Sequence, residues 1–395
     1  VISEENFFEP LKDVFSFFKL KGSWGMMGND NITAYQYLSM YSFNTDSYYA
    51  FGKTPVSVQS IYETVTANPL VTWETAKTWN IGFSSQFLNG KLGLDLDYFQ
   101  SNRNDILITR NASIPTYSGL SLPAENLGKV KNHGFEAIAT YRDSKGDFEW
   151  GVTGNVTYAK NEVVYADEAA DTPAWQRETG HPIDGGTYYK ALGIYQTQEQ
   201  IESTPHLSGT KIGDLIYQDT NKDGNITWDD AVRRDKSATP KWIFGLTLNG
   251  SWKGMDVNAF FQGQADAEIL VQPTMNMATD FYEGRWSESN TAEQNAAAKW
   301  PRAFMKASSV DNRNSQSSTW WLRDASFVRL KSLEIGYTFP KTLISPLGVE
   351  KLRLYVNGNN LFTIDSVGIF DPEMTNGIRG YSLQRSWTFG LNVTF

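Results

Sequence analysis

Side chains on a β-strand point alternately to its two faces, and the stretch from Tyr381 to Phe395 keeps that period to the end of the chain. Its odd positions read Tyr381, Leu383, Arg385, Trp387, Phe389, Leu391, Val393 and Phe395. Its even positions read Ser382, Gln384, Ser386, Thr388, Gly390, Asn392 and Thr394. One face is almost wholly apolar, the other polar or small. Strands of soluble sheets are typically about 5–6 residues long. One this long and two-sided suits a tilted crossing of an outer membrane, with lipid on one side and water on the other. Taken alone, the stretch also fits a long edge strand of a soluble β-protein.

The same alternation recurs upstream. Val14, Ser16, Phe18, Leu20, Gly22 and Trp24 oppose Lys19, Lys21 and Ser23. Trp79, Ile81, Phe83 and Phe87 oppose Asn80, Gly82, Ser84 and Gln86, and Leu92, Leu94, Leu96 and Tyr98 oppose Lys91, Gly93, Asp95 and Asp97. Further strands run through 135–141, 148–158, 242–252, 255–261, 320–339 and 352–356, about ten in all. Residues 1–13 read as a turn leading into the first of them. Connections alternate in length. Turns near 88–91, 143–146, 253–255 and 340–350 are short, with Asn89-Gly90, Asp143-Ser144-Lys145-Gly146 and Lys253-Gly254 as turn signals. Loops at 25–71, 109–127, 164–239, 265–319 and 365–379 are long. Short periplasmic turns and long extracellular loops are the habit of membrane barrels, and a sandwich or propeller has no reason to lengthen every second connection. The expected fold is all-β, a transmembrane antiparallel β-barrel.

Composition agrees. The 395 residues are 14% aromatic, yet mean hydropathy is only −0.42, because half of each strand would face water. No run of apolar residues is long enough for a membrane-spanning helix. With no cysteine, disulfides and thiolate metal sites are excluded. A net charge of −9 argues against nucleic acid. The chain starts at Val1 without a signal peptide, so it is expected to be the later part of a longer or processed polypeptide.

Several segments carry a more specific signal. They are Leu20-Lys21-Gly22-Ser23-Trp24-Gly25, Trp73-Glu74-Thr75-Ala76-Lys77-Thr78-Trp79, and Asn126-Leu127-Gly128-Lys129-Val130 continuing to Glu136. Later come the run from Leu322 to Pro340, Leu352-Arg353-Leu354-Tyr355-Val356-Asn357-Gly358-Asn359-Asn360-Leu361-Phe362, and Asp371-Pro372-Glu373. In this order they resemble SusC/RagA-type TonB-dependent outer-membrane transporters of Bacteroidetes, over nearly the whole chain except the long loops. The resemblance implies a plugged barrel of about 22 strands, of which this chain supplies roughly the C-terminal ten. The plug, the TonB-contact segment and the N-terminal strands lie outside it. It also implies a SusD-type surface lipoprotein as lid, TonB as energy source, and oligosaccharide or peptide as cargo.

The sharpest local motif runs from Asp219 to Asp230. Asp219, Asn221, Asp223, the Asn225 carbonyl and Asp230 stand at the ligand positions of an EF-hand-type loop, with Gly224 at its sharp turn. Hard oxygens at this spacing wrap Ca²⁺. Asp230 is one methylene shorter than the usual Glu, which opens the site to Mg²⁺ or to weaker Ca²⁺ binding. The competing reading is an Asp/Asn/Gly-rich turn with no metal. Trp175, Trp228, Trp286, Trp300, Trp320 and Trp321 lie in or beside long loops. Trp175, Trp286, Trp320 and Trp321 are carried as substrate-binding candidates, because indole faces stack on sugars. Partner contacts, packing within the loop or an interfacial belt explain such residues equally well.

Asp95 and Asp97 share a strand face, where a solvated barrel lining outweighs paired-carboxylate glycoside chemistry. His133, His181 and His206 lack metal-ligand spacing, and no nucleophile elbow, HExxH or phosphate loop is present. No enzymatic activity is expected. The expected function is active import across the outer membrane. Its alternatives are a soluble all-β carbohydrate-binding or hydrolytic protein, and a passive porin.

Overall fold

The computed structural model describes all residues except 33, 45–47, 52, 58, 66, 111–121, 272–277, 305–312, 369 and 375–381. Ten strands form one antiparallel sheet in which each pairs with its neighbours in chain order. They are Phe15–Asn29, Glu74–Phe87, Leu92–Thr109, Ala124–Lys145, Phe148–Tyr165, Trp242–Trp252, Met255–Ala265, Phe327–Thr338, Lys351–Asp365 and Ser386–Thr394. The turns follow local chemistry. Lys253 and Gly254 both take positive φ, +46° and +88°, the type I′ geometry that matches strand twist. Leu88, Asn89 and Gly90 do likewise.

The register aligns the apolar residues of successive strands. Leu20, Phe83, Leu96, Ala137, Val156 and Phe244 sit side by side across six strands. Two residues further along each strand, Phe18, Ser85, Leu94, Ala139, Gly154, Leu246, Phe261, Leu330 and Phe362 do the same. Leu20, Leu96, Leu246 and Phe362 of these rows are exposed, as are Trp24, Ile81, Leu248, Phe389 (80%) and Leu391. Tyr98, Phe135, Tyr158 and Trp242 form an aromatic row near one end, with Trp242 4.6 Å from Tyr158. Tyr141, Trp150 and Trp252 mark the other end, Tyr141 5.1 Å from Trp150. Trp242 and Trp252 bound one eleven-residue strand. At about 3.3 Å per residue and about 45° tilt, the rows lie about 23 Å apart, close to the height of an outer-membrane apolar band.

The buried core is elsewhere. The described residues between Tyr165 and Trp242 and between Ala265 and Phe327, where loops are expected over 164–239 and 265–319, fold into one cap. Its core is built from Tyr189, Ile194, Leu215, Tyr217, Ile226, Ile269, Val271, Trp286, Trp300, Trp321 and Val367. Short ladders join Ala191–Ile194 to Leu215–Tyr217 and Glu268–Leu270 to Leu322–Asp324. The stretch expected as one strand over 320–339 is therefore two pieces, and its wall strand starts at Phe327. The two loops join through Tyr189 beside Ser318, Asn314 Oδ1 accepting from Leu215 N at 2.9 Å, and buried Asp214 against Arg302 at 2.6 Å. Gly213 (φ +88°) lies against the Trp286 ring, which any Cβ there would strike.

Other differences have local causes. The last strand starts at Ser386; Tyr381 lies outside the described residues. Asn360, at φ +53°, bends the partner strand and donates to Gln384 O at 2.9 Å, which ends the ladder. The first strand continues through Gly25 and Gly28 to Asn29, paired with residues 74–78. Beyond it, hairpins pair Met40–Asn44 with Ser60–Val65 and Tyr48–Phe51 with Thr54–Ser57. The turn expected at Asp143–Gly146 is shorter, Gly146–Asp147, because Asp143, Ser144 and Lys145 still pair across to Trp150, Glu149 and Phe148. Residues 1–13 include short 3-10 turns at Ile2–Glu4 and Asn6–Leu11.

Candidate functional site

The second face of the wall carries the charges. Lys21 reaches Asp97 at 2.6 Å and Asp95 at 3.7 Å, across Gly82 of the strand between them, so the two aspartates neutralise a lysine two strands away. Arg353 bonds Asp256 at 3.0 Å and Glu334 at 2.7 Å. Arg329 is almost fully buried. It donates to Thr363 Oγ1 and Asp371 at 2.8 Å each and also to Glu373. Burying an arginine is tolerable only when its donors are matched, and here the Asp371-Pro372-Glu373 segment matches them.

Other side chains of this face also grip the cap. Asn161 Oδ1 accepts from Ile183 N at 2.8 Å, and Gln264 donates to Ala325 O at 3.0 Å. Gly180 N donates to Val163 O, and Val163 is buried. The cap therefore folds onto the water-facing side of the wall. At its base Asp266 bonds Lys241 at 2.9 Å and Lys236 at 3.2 Å.

The candidate tryptophans divide. Trp321 is fully buried, stacked on Trp300 at 5.7 Å, with its indole N–H on Asn314 O. Trp286 is buried and bonds Gln196. Neither offers a ring to cargo; both pack the cap. Trp175 donates to Asp229 O at 2.8 Å and so braces the acidic loop. Trp228 is exposed, edge-on to Tyr189. Trp320 and Trp300 line a large cleft, of about 990 Å³, together with Asp280, Glu283, Arg285, Lys299 and Arg323. Sequence reasoning missed these charged partners. They come from three segments whose proximity has no periodic signature.

The loop from Asp219 to Asp230 is wound as a tight ring. Asp219 accepts from Lys222 N at 2.7 Å and Gly224 N at 2.9 Å, and Gly224 has φ +85°. Asp223 accepts from Asn225 N at 2.7 Å and from Asn221 Nδ2. These bonds hold its carboxyl below the usual carboxylate range. Asp230 is fully buried and accepts from Thr220, Asn221 and Thr227 amides. Among the described residues no three acidic, His or Cys groups converge as a metal cluster. A cation here would use Asn221 and a backbone carbonyl beside Asp219 and Asp223. The donors are all hard oxygen, which fits Ca²⁺ or Mg²⁺. The histidines serve elsewhere: His181 contacts Asp235 at 2.6 Å and His206 contacts Thr204 O.

A wall with an apolar outer face between two aromatic rows, a charged inner face and a folded cap on that inner side defines a section of an outer-membrane β-barrel. Residues 18–361 match the model of the TonB dependent receptor-like, beta-barrel family, and the chain belongs to that family. TonB-dependent receptor P3 of Formosa agariphila is 28% identical over 429 residues, covering all of this chain and 41% of that protein. TonB-dependent receptor SusC of Bacteroides thetaiotaomicron is 27% identical over 405 residues, covering all of this chain and 39% of that protein. Among solved structures, the RagAB peptide transporter superposes with a TM-score of 0.71 at 22% identity, over 100% of this chain and 42% of that one. The chain thus spans about two fifths of the length of these relatives.

Proposed function

We propose that this chain is the barrel portion of an active importer that carries an oligosaccharide, or a peptide, across the outer membrane. TonB supplies the energy and a SusD-type surface lipoprotein forms the lid. The remaining strands and the plug come from polypeptide outside this chain. The observation that carries the reading is the cap held onto the water-facing side of a family-typical wall by Asn161 and Gln264. A passive porin keeps that side open as a water-filled channel, and a soluble lectin would not turn Leu391 and Phe389 outward. The named relative SusC and the RagAB peptide transporter support import as the class of activity. Deleting the gene and offering a panel of glycans and peptides tests it. Uptake of one cargo class should fall, and fall equally when TonB is removed. Uptake that persists without TonB would favour the porin.

Within the cap, Asp219, Asn221, Asp223, the Asn225 carbonyl and Asp230 would hold Ca²⁺, or Mg²⁺, and the ion would stiffen the 166–241 segment. Occupancy at about 100 times Kd would add about 2.7 kcal/mol to the local fold. The Asp219→Ala, Asp223→Ala double variant should lose one bound ion by elemental analysis and become more protease-sensitive in this segment. Unchanged metal content counts against the site.

A further inference from the structure

The outward face of the wall changes character above its aromatic row. Side chains sharing this face run upward as Ile81, Trp79 and Lys77 on Glu74–Phe87, and as Tyr98, Gln100 and Asn102 on Leu92–Thr109. They continue as Phe135, His133 and Lys131 on Ala124–Lys145, and as Tyr158, Lys160 and Glu162 on Phe148–Tyr165. Lys77 is exposed, and Lys131 and Lys160 are half-buried. Among the described residues none of these three lysines is ion-paired; the nearby carboxylates Glu74 and Glu125 are taken by Arg103 at 3.2 Å and Arg110 at 3.5 Å. Glu162 stands opposite Lys131, so three lysines outweigh one acid. Trp24 and Met26, both exposed, border the group on the Phe15–Asn29 side. Lys160 lies two residues beyond Tyr158, and Lys131 four beyond Phe135. At about 3.3 Å per residue and about 45° tilt, they stand about 5 and 9 Å above the row, the depth of a bilayer's polar headgroup layer. This end of the wall carries the cap and the long connections, so the layer is that of the outer leaflet.

We propose that this group docks a phosphorylated glycolipid of the outer leaflet. Its phosphates meet Lys77, Lys131 and Lys160, whose ammonium groups act as point charges and bind phosphate without a fixed geometry. The Gln100 and Asn102 amides bond each other at 3.4 Å and turn their remaining polar atoms to sugar hydroxyls. The acyl chains lie along Ile81, Tyr98 and Phe135 below. Lys77 and Lys131 are two strands apart, about 10 Å, a span that suits more than one phosphate. Positive charge above an apolar face it continues into selects a lipid over a soluble anion, because only a lipid satisfies both. The proposal needs the outer-membrane wall alone and is independent of what the barrel imports.

The test offers diphosphoryl lipid A, its dephosphorylated form and inorganic phosphate to the full-length protein in detergent, with binding read by native mass spectrometry. Diphosphoryl lipid A should bind at least about tenfold more tightly than the dephosphorylated lipid. That preference should shrink as salt rises, because the attraction between lysine and phosphate is screened. Lys77→Gln, Lys131→Gln and Lys160→Gln should each weaken diphosphoryl lipid A about fivefold. The triple variant Lys77→Arg, Lys131→Arg, Lys160→Arg keeps the charge and should keep the preference. Equal affinity for the two lipids, a preference untouched by the glutamine changes, or inorganic phosphate displacing the lipid at the lipid's own concentration would overturn the proposal. So would glutamine variants that lose self-association but keep the lipid preference, since they would assign the patch to a second copy of the chain. A glutamine variant that failed to fold would lose heat-dependent gel migration, and the wild-type preference with its salt dependence then decides.

Discussion

At the scale of residues, Asp214 and Asp266 hold the cap in different ways. Asp214 is fully buried, paired with Arg302 and accepting from Asn314 Nδ2 and Lys211 N at 2.8 Å each. Asp214→Ala strands the arginine and the amide, and breaking such a buried pair costs about 3–5 kcal/mol. Denaturant titration followed by tryptophan fluorescence should show a loss of that size. Asp266 is closer to solvent. Burial alone would raise its pKa, but the bonds from Lys241 and Lys236 outweigh burial and hold it below the usual carboxylate range. A lowered pKa means the pair stabilises the fold above the unfolded value, about 3.9, and that this is lost as pH falls towards the folded value. Amide exchange at residues 236–241 should therefore quicken as pH drops below about 4, once corrected for intrinsic rates. Asp266→Asn should remove the step.

At the scale of elements, each wall strand carries two environments one residue apart. Leu246 faces outward near the middle of its strand, and Thr247 faces the charged side beside Thr153 and Phe260. Leu246→Arg should cost about 2–4 kcal/mol of insertion stability, the figure for a cation at mid-bilayer. Thr247→Arg, with water available, should cost far less. Folding yield into lipid vesicles separates the two, and equal costs would mean that the outer face does not meet hydrocarbon. A one-residue slip in register would swap the faces of a whole strand; the bulge at Asn360 absorbs one extra residue, so that Phe362 still pairs with Leu330 and Val356 with Ile335.

At the scale of the molecule, the usual placement of apolar residues is reversed. Leucine, phenylalanine and tryptophan lie exposed along the wall, while the compact core sits in segments that connect strands. Two solvents explain this. Hydrocarbon imposes no penalty on the outer side chains, so the wall needs no interior. The cap stands in water and must bury Trp286, Trp300 and Trp321 as any soluble domain would.

The wall was legible in the sequence, from Trp24 to Phe389. Period-two alternation is a local property, and a membrane face with a wet lining demands it strand after strand. The acidic ring around Gly224 was legible for the same reason, its donors lying within a dozen residues. What only the tertiary structure decided was the fate of the loops: that Trp321 is core and that Trp320 lines a cleft. It also decided that Arg329 holds Asp371 and Glu373. Those facts depend on contacts between segments scores of residues apart, brought together by burial of apolar surface that no spacing rule records.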